Sequence, residues 1–268
     1  MQFFMQMHQY AFRRDGQGNV VQTAFALVDG VVRSWTLPPH DQEVMPGVPW
    51  GSPGDILSPA YWAALARATP DATHGFVCQD GDLASEVGFC LLGGFGITAE
   101  LGAAAHDRLR AAGVFRPDWK PDRDAVAVML KEPLVVKGRP VRYRFPDQRA
   151  TRISQAMTAL QAQPPRTQCA FAFRDDLMAL PGVGPKTASW IVRNLTGSDA
   201  LAILDVHVVR AGQAMGLFRA DVRLPHDYAE LEGLFLEFAD KLGVGAGALD
   251  ALIWTQMRRL SARVLGHC

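Results

Sequence analysis

Apolar and polar residues follow two rhythms along this chain, a short one near the amino terminus and a longer one beyond it. Val20 to Val28 and Val31 to Leu37 are runs rich in β-branched and aromatic residues, separated by Asp29-Gly30. That dipeptide suits a two-residue hairpin turn, so the region reads as two paired strands. A Pro/Gly-rich connection runs from Leu37 to Pro59. From there the apolar positions recur at helical spacing. Ala60 to Ala68 is a run of good helix formers behind Ser58, a residue suited to the N-cap. Residues 99–112, 150–162, 175–179, 186–195, 206–215, 227–241 and 247–265 read as further helices. The pattern predicts a mainly α chain, with a small β-containing segment over residues 1–58 and a helical domain over 59–268.

Composition narrows the class. The chain has 268 residues, 49% hydrophobic and 20% charged, which supports a sizeable core and speaks against bulk disorder. No apolar run approaches the roughly 20 residues that a membrane span needs. Met1 to His8 has no basic head before its apolar residues, which argues against a secretory signal. Cys78, Cys90, Cys169 and Cys268 lie far apart with no C-x-x-C pair. That spacing speaks against a disulfide framework, a zinc ribbon and a cysteine-ligated cluster, and a reduced, cytoplasmic setting is expected. No cluster of metal ligands is visible.

Net charge is +0, yet the charges are unevenly spread. Residues 1–106 hold 4 Lys/Arg against 10 Asp/Glu, whereas 107–152 hold 12 against 6. Gly138 to Arg152 alone carries five arginines and one aspartate. Such a cluster reads either as a phosphate-binding strip or as an ordinary solvated face.

The most informative stretch is Asp175 to Val192, which contains Leu180-Pro181-Gly182-Val183-Gly184-Pro185-Lys186. It reads as helix, tight Gly-rich turn, helix. Gly182 and Gly184 allow conformations and close approaches that side chains would block, and Pro185 fits the first turn of the second helix. Backbone N–H groups at such a turn can hold a phosphate without reading sequence. Leu204-Asp205-Val206-His207-Val208 follows, with Asp205 nineteen positions after Lys186.

Hairpin, lysine and spaced aspartate together resemble the helix-hairpin-helix DNA glycosylases, above all the 8-oxoguanine DNA glycosylase/AP lyase branch. The resemblance implies a fold of two α-helical subdomains. It also implies a bifunctional enzyme that flips an oxidised purine out of duplex DNA and excises it. Lys186 would be the nucleophile that forms an imine with the sugar, and Asp205 would stabilise the positive charge developing there. The amine must be uncharged to attack. Taken singly, Lys186 also reads as a solvated first-turn residue, and Asp205 as a helix N-cap. Gly182, Val183 and Gly184 would grip the DNA backbone. His207 reads as a sugar-phosphate contact or as a helix histidine.

By the same resemblance the flipped base would lie between Trp190, one turn past the lysine, and Trp254, with Asp250 reading its edge. Asp250 and Trp254 are spaced i and i+4, so they share a helix face. The chain departs from the family here, because eukaryotic-type relatives hold a cysteine and a glutamine where Trp190 and Asp250 stand. Both tryptophans also read as core residues. Arg149 would face DNA, with Arg152 on its backbone. Phe95, in a loop that lacks the family's asparagines, reads either as an apolar wedge or as a buried loop aromatic. The expected partner is double-stranded DNA with a damaged or modified base, bound by a monomer. No cofactor is expected beyond a monovalent cation at the hairpin carbonyls. Two rivals stay open: a glycosylase for another modified purine, for instance in phage defence, and a non-catalytic DNA-binding module.

Overall fold

The computed structural model describes residues 9–14, 20–69, 81–94 and 96–260. Five strands come first: β1 (Gln9–Arg14), β2 (Val20–Val28), β3 (Val31–Leu37), β4 (Glu43–Met45) and β5 (Val48–Pro49). Helices α1 (Pro59–Ala68), α2 (Leu83–Leu92), α3 (Ala99–Ala111) and α4 (Arg123–Lys131) lead to a hairpin of β6 (Leu134–Val136) and β7 (Arg139–Val141). Then come α5 (Pro146–Ala162), α6 (Ala170–Met178), α7 (Pro185–Thr196), α8 (Val206–Ala214), α9 (Tyr228–Leu242) and α10 (Ala246–Met257). The mainly α architecture with a few strands is as expected.

By contacts the chain divides into a discontinuous unit, residues 1–76 with 199–268, and a central unit, residues 77–198. In the discontinuous unit β1, β2 and β3 form an antiparallel sheet with β2 in the middle. The predicted hairpin turn is present: Asp29 (φ 51°) and Gly30 (φ 77°) are both left-handed, as a primed turn requires, and Val28 pairs with Val31. Ser58 caps α1, its Oγ accepting the Tyr61 N–H at 3.0 Å. Ala24 and Leu37 of the sheet share one core with Trp62 of α1, Phe235 and Phe238 of α9, and Leu249 and Ile253 of α10. The change from strand to helix at residue 58/59 is therefore not a border between compact units. A sheet this small buries its apolar face on helices from the far end of the chain.

The central unit is built round α2, which packs against α3, α5 and α7. The sequence pattern did not mark α2 because it is apolar nearly throughout and shows no polar stripe. The local sign was its cap: Asp82 accepts the Ser85 N–H at 3.1 Å. Helix α4, also unmarked, starts in the same way on Asp122. Helix α6 begins at Ala170, five residues before the predicted start. The predicted helix 247–265 is helical to Met257, and its last residues lie outside those described.

Candidate active site

The hairpin belongs to the central unit. Leu180-Pro181-Gly182-Val183 forms a β-turn in which the Val183 N–H reaches the Leu180 carbonyl at 3.1 Å. Proline then glycine at the middle positions, with Gly182 at φ 84°, is the signature of a type II turn. A side chain at Gly182 would also meet Arg152, whose Cδ lies 2.5 Å from the place of a Cβ. Arg152 thus lies across the turn. Val183 is buried, anchoring the loop, while Gly182 and Gly184 are exposed. Gly184 differs from Gly182: its φ is −98°, and among the described residues a Cβ there would meet nothing within 4 Å. No side chain caps α7, and Pro185 occupies its first turn. In α6, the helix before the turn, the Arg166 guanidinium and backbone N–H hold the Asp176 carboxyl down at about 2.

Lys186 is half-buried on the face of α7 that carries Trp190 and Asn194. Its ammonium sits 5.4 Å from the centroid of the Trp190 ring. Trp190 meets Phe89 of α2 edge to face at 6.3 Å. One turn further, the Asn194 Nδ2 donates to Glu86 Oε1 at 2.7 Å, and the Cys90 thiol approaches the same oxygen at 3.6 Å. Burial pushes the Cys90 thiol up, as does Glu86, against the opposing influence of Lys186 and Arg193. Cys90 is thereby kept as an inert thiol. Glu86 and Phe89 lay beyond sequence reasoning because they sit on the unmarked helix α2.

Arg149, the residue expected to face DNA, lies at the end of α2. It is 8% exposed, and its Nη2 donates to the Gly93 carbonyl at 3.0 Å. Beside it the Tyr143 hydroxyl donates to the Leu92 carbonyl at 2.6 Å, and burial raises that hydroxyl to about 12. Together they satisfy carbonyls left open where α2 ends. Burial lowers the Arg149 pKa. Phe95 lies outside the described residues.

Asp205 belongs to the discontinuous unit and is the N-cap of α8. Its Oδ1 accepts the N–H groups of His207 at 2.8 Å and Val208 at 2.9 Å. The residue is half-buried. His207 is half-buried as well, and its Nδ1 is a buried atom with no hydrogen-bond partner among the described residues. Asp250, the residue expected to read a base edge, faces the segment before Asp205. It is 3% exposed, and its Oδ2 accepts the Ile203 N–H at 3.1 Å, so its carboxyl group serves the chain's own backbone. Trp254, one turn along α10, is half-buried, with the Arg258 guanidinium 4.4 Å from its ring centroid. Among the described residues no group of three or more His, Cys, Asp or Glu is gathered to hold a metal ion. No described helix is long and apolar enough to cross a membrane.

In each unit, then, a helix start presents one of the two residues singled out for chemistry: Lys186 behind an exposed turn, and Asp205 as a cap. Comparison with solved structures returns the same architecture. The 8-oxoguanine DNA glycosylase of Thermotoga maritima is 22% identical with a TM-score of 0.57, over 74% of this chain and 94% of that one. The 8-oxoguanine DNA glycosylase of Methanocaldococcus jannaschii is 19% identical with a TM-score of 0.56, over 75% and 94%. At these identities the likeness shows the helix-hairpin-helix fold. A family model described as 8-oxoguanine DNA glycosylase matches residues 75–244, well over half of the chain and the whole of the hairpin with Lys186 and Asp205. By that match the chain belongs to the 8-oxoguanine DNA glycosylase family.

Proposed function

We propose that this glycosylase is bifunctional: it excises 8-oxoguanine from duplex DNA through an imine on Lys186 and then nicks the abasic strand. The observation that carries the reading is Lys186 itself, a lysine in the first turn of α7 immediately behind an exposed glycine turn. The open start of α7 suits a DNA phosphate, since its first-turn amides have no side-chain cap and the helix dipole favours an anion there. Gly184 supports the same reading. Nothing among the described residues requires a glycine there, and the open space beside it would admit an approaching sugar-phosphate backbone.

The chemistry follows in order. The free amine of Lys186 bonds to C1′ as the C1′–N9 bond breaks, and the base leaves with the electron pair and gains a proton. Loss of an amine proton with opening of the sugar gives the imine. Removal of a C2′ proton then expels the 3′ phosphate by β-elimination. Positive charge grows on the sugar before the new bond is complete. A carboxylate stabilises it, and Asp205 is the residue proposed for that role: Oδ1 is committed to two backbone amides, leaving Oδ2 for the substrate. Trp190 is proposed as a stacking surface for the extruded base, whose unstacking costs a few kcal/mol. Oxidised guanine as substrate is supported by the family and by the stated activity of both structural relatives.

Borohydride reduction tests the reading. A duplex carrying 8-oxoguanine should yield a covalent protein–DNA adduct with the native chain and none with Lys186→Gln. An undiminished adduct from Lys186→Gln would remove the lysine from this role.

A further inference from the structure

The residues leading to Asp205 have no regular secondary structure, yet they are buried. Leu201, Ala202 and Leu204 are 0% exposed and Ile203 is 8% exposed. Backbone polar groups buried outside helix or sheet must find partners elsewhere. Here three side chains supply them. Glu232 Oε1 accepts the Ala202 N–H at 3.1 Å. Asp250 Oδ2 accepts the Ile203 N–H at 3.1 Å. The Tyr228 hydroxyl donates to the Ala202 carbonyl at 2.6 Å and accepts the Leu204 N–H at 3.3 Å. All three side chains are themselves buried, at 5%, 3% and 4% exposure.

Their placement is economical. Tyr228 and Glu232 are i and i+4 on α9, so they reach the segment from one helix face, and Asp250 reaches it from α10. The segment is also tied at its head, where Asp199 Oδ1 accepts the Gly247 N–H at 2.8 Å in the first turn of α10. At its foot the Asp205 N–H donates to the Ile203 carbonyl at 3.0 Å, and Asp205 caps α8. A cap alone would fix Asp205 relative to α8. These further bonds fix it relative to α9 and α10 as well.

We infer that Tyr228, Glu232 and Asp250 are positioning residues for base excision, acting by holding the Leu201–Leu204 backbone that sets the place of the Asp205 carboxylate. The inference rests on the role proposed above for Asp205. Its physical basis is that a catalytic group displaced by a fraction of an ångström loses much of its effect, while substrate binding elsewhere is untouched. Tyr228→Phe is the sharpest probe, since it removes one oxygen and leaves the ring in place.

The test is single-turnover excision from an 8-oxoguanine duplex by the full-length chain, with duplex affinity and thermal unfolding measured alongside. Tyr228→Phe should slow excision about tenfold while leaving affinity within about twofold. In an Asp205→Asn background the same change should cost less than about twofold, because the residue acts through a carboxylate that is already gone. Asp250→Ala removes a second support from a different helix and repeats the test if Tyr228→Phe does not fold. Asp250→Asn keeps an acceptor oxygen and should recover most of the rate. A parental rate in Tyr228→Phe, or an equal loss in both backgrounds, overturns the inference while leaving the Lys186 adduct in force. A parental rate in Asp205→Asn alone removes the proposed role of Asp205 and this inference with it.

Discussion

Helices α7 and α8 begin in opposite ways. The start of α7 is open: glycine in the N-cap position, proline in the first turn, no side-chain cap, and exposed glycines on the approach. The start of α8 is closed: Asp205 takes two first-turn amides, and the residues before it are buried and bonded at their backbones to α9 and α10. An uncapped helix start that costs the fold a stabilising contact is suited to an outside anion. A capped start fixed by buried side chains is suited to holding a single carboxylate still. On the proposed mechanism, the open start would present Lys186 where DNA approaches, whereas the closed start would hold Asp205 where precision matters more than access.

The largest effect expected from breaking this comparison comes at the closed end. Asp205→Asn keeps an oxygen for the two capped amides, so the fold and duplex binding should persist. Base release should slow by about a hundredfold or more, about 2.7 kcal/mol of barrier, because a charge partner of the transition state is lost. Equal single-turnover rates would reduce Asp205 to a cap. Next comes a pair of changes at the open end. Gly182→Ala forces a side chain into a φ of 84° and against Arg152, and should cost about 1–3 kcal/mol in denaturant unfolding. Gly184→Ala meets neither obstacle, so stability should change by less than about 0.5 kcal/mol. Its smaller effect should fall on DNA: affinity for damaged and undamaged duplex alike should drop about fivefold, near 1 kcal/mol, as phosphate contacts carry no sequence information. Unchanged affinity in Gly184→Ala would mean that the open start of α7 is not where DNA lies.

Those two glycines also show how far the sequence could be read. They look alike in Gly182-Val183-Gly184, and the turn was legible because Pro, Gly and a following helix are local signals. The Pro-Gly pair marks Gly182 as the turn glycine, but that Arg152 also fills the space beside it was not legible, since that depends on packing from α5. The cap Asp205 could be read for the same local reason. Arg149 and Asp250 could not: a charged residue in a sequence suggests a surface, and only packing reveals that one closes the end of α2 and the other bonds the Ile203 backbone. Helix α2, with Glu86 and Phe89 beside the Lys186 face, escaped because a helix apolar nearly throughout has only a weak periodic signature.

The Asp199–Asp205 segment has a consequence for how this chain can vary in length. Read as sequence it is a connector between helices, the kind of place where an extra residue is ordinarily tolerated. Here successive backbone groups are each addressed by a particular side chain: Ala202 by Glu232 and Tyr228, Ile203 by Asp250, Leu204 by Tyr228. One inserted residue would shift every address at once, presenting a carbonyl where an acceptor waits and moving a buried leucine out of its place. The stretch therefore behaves like a strand in register without having a sheet. Among homologues its length should be held as tightly as its final aspartate.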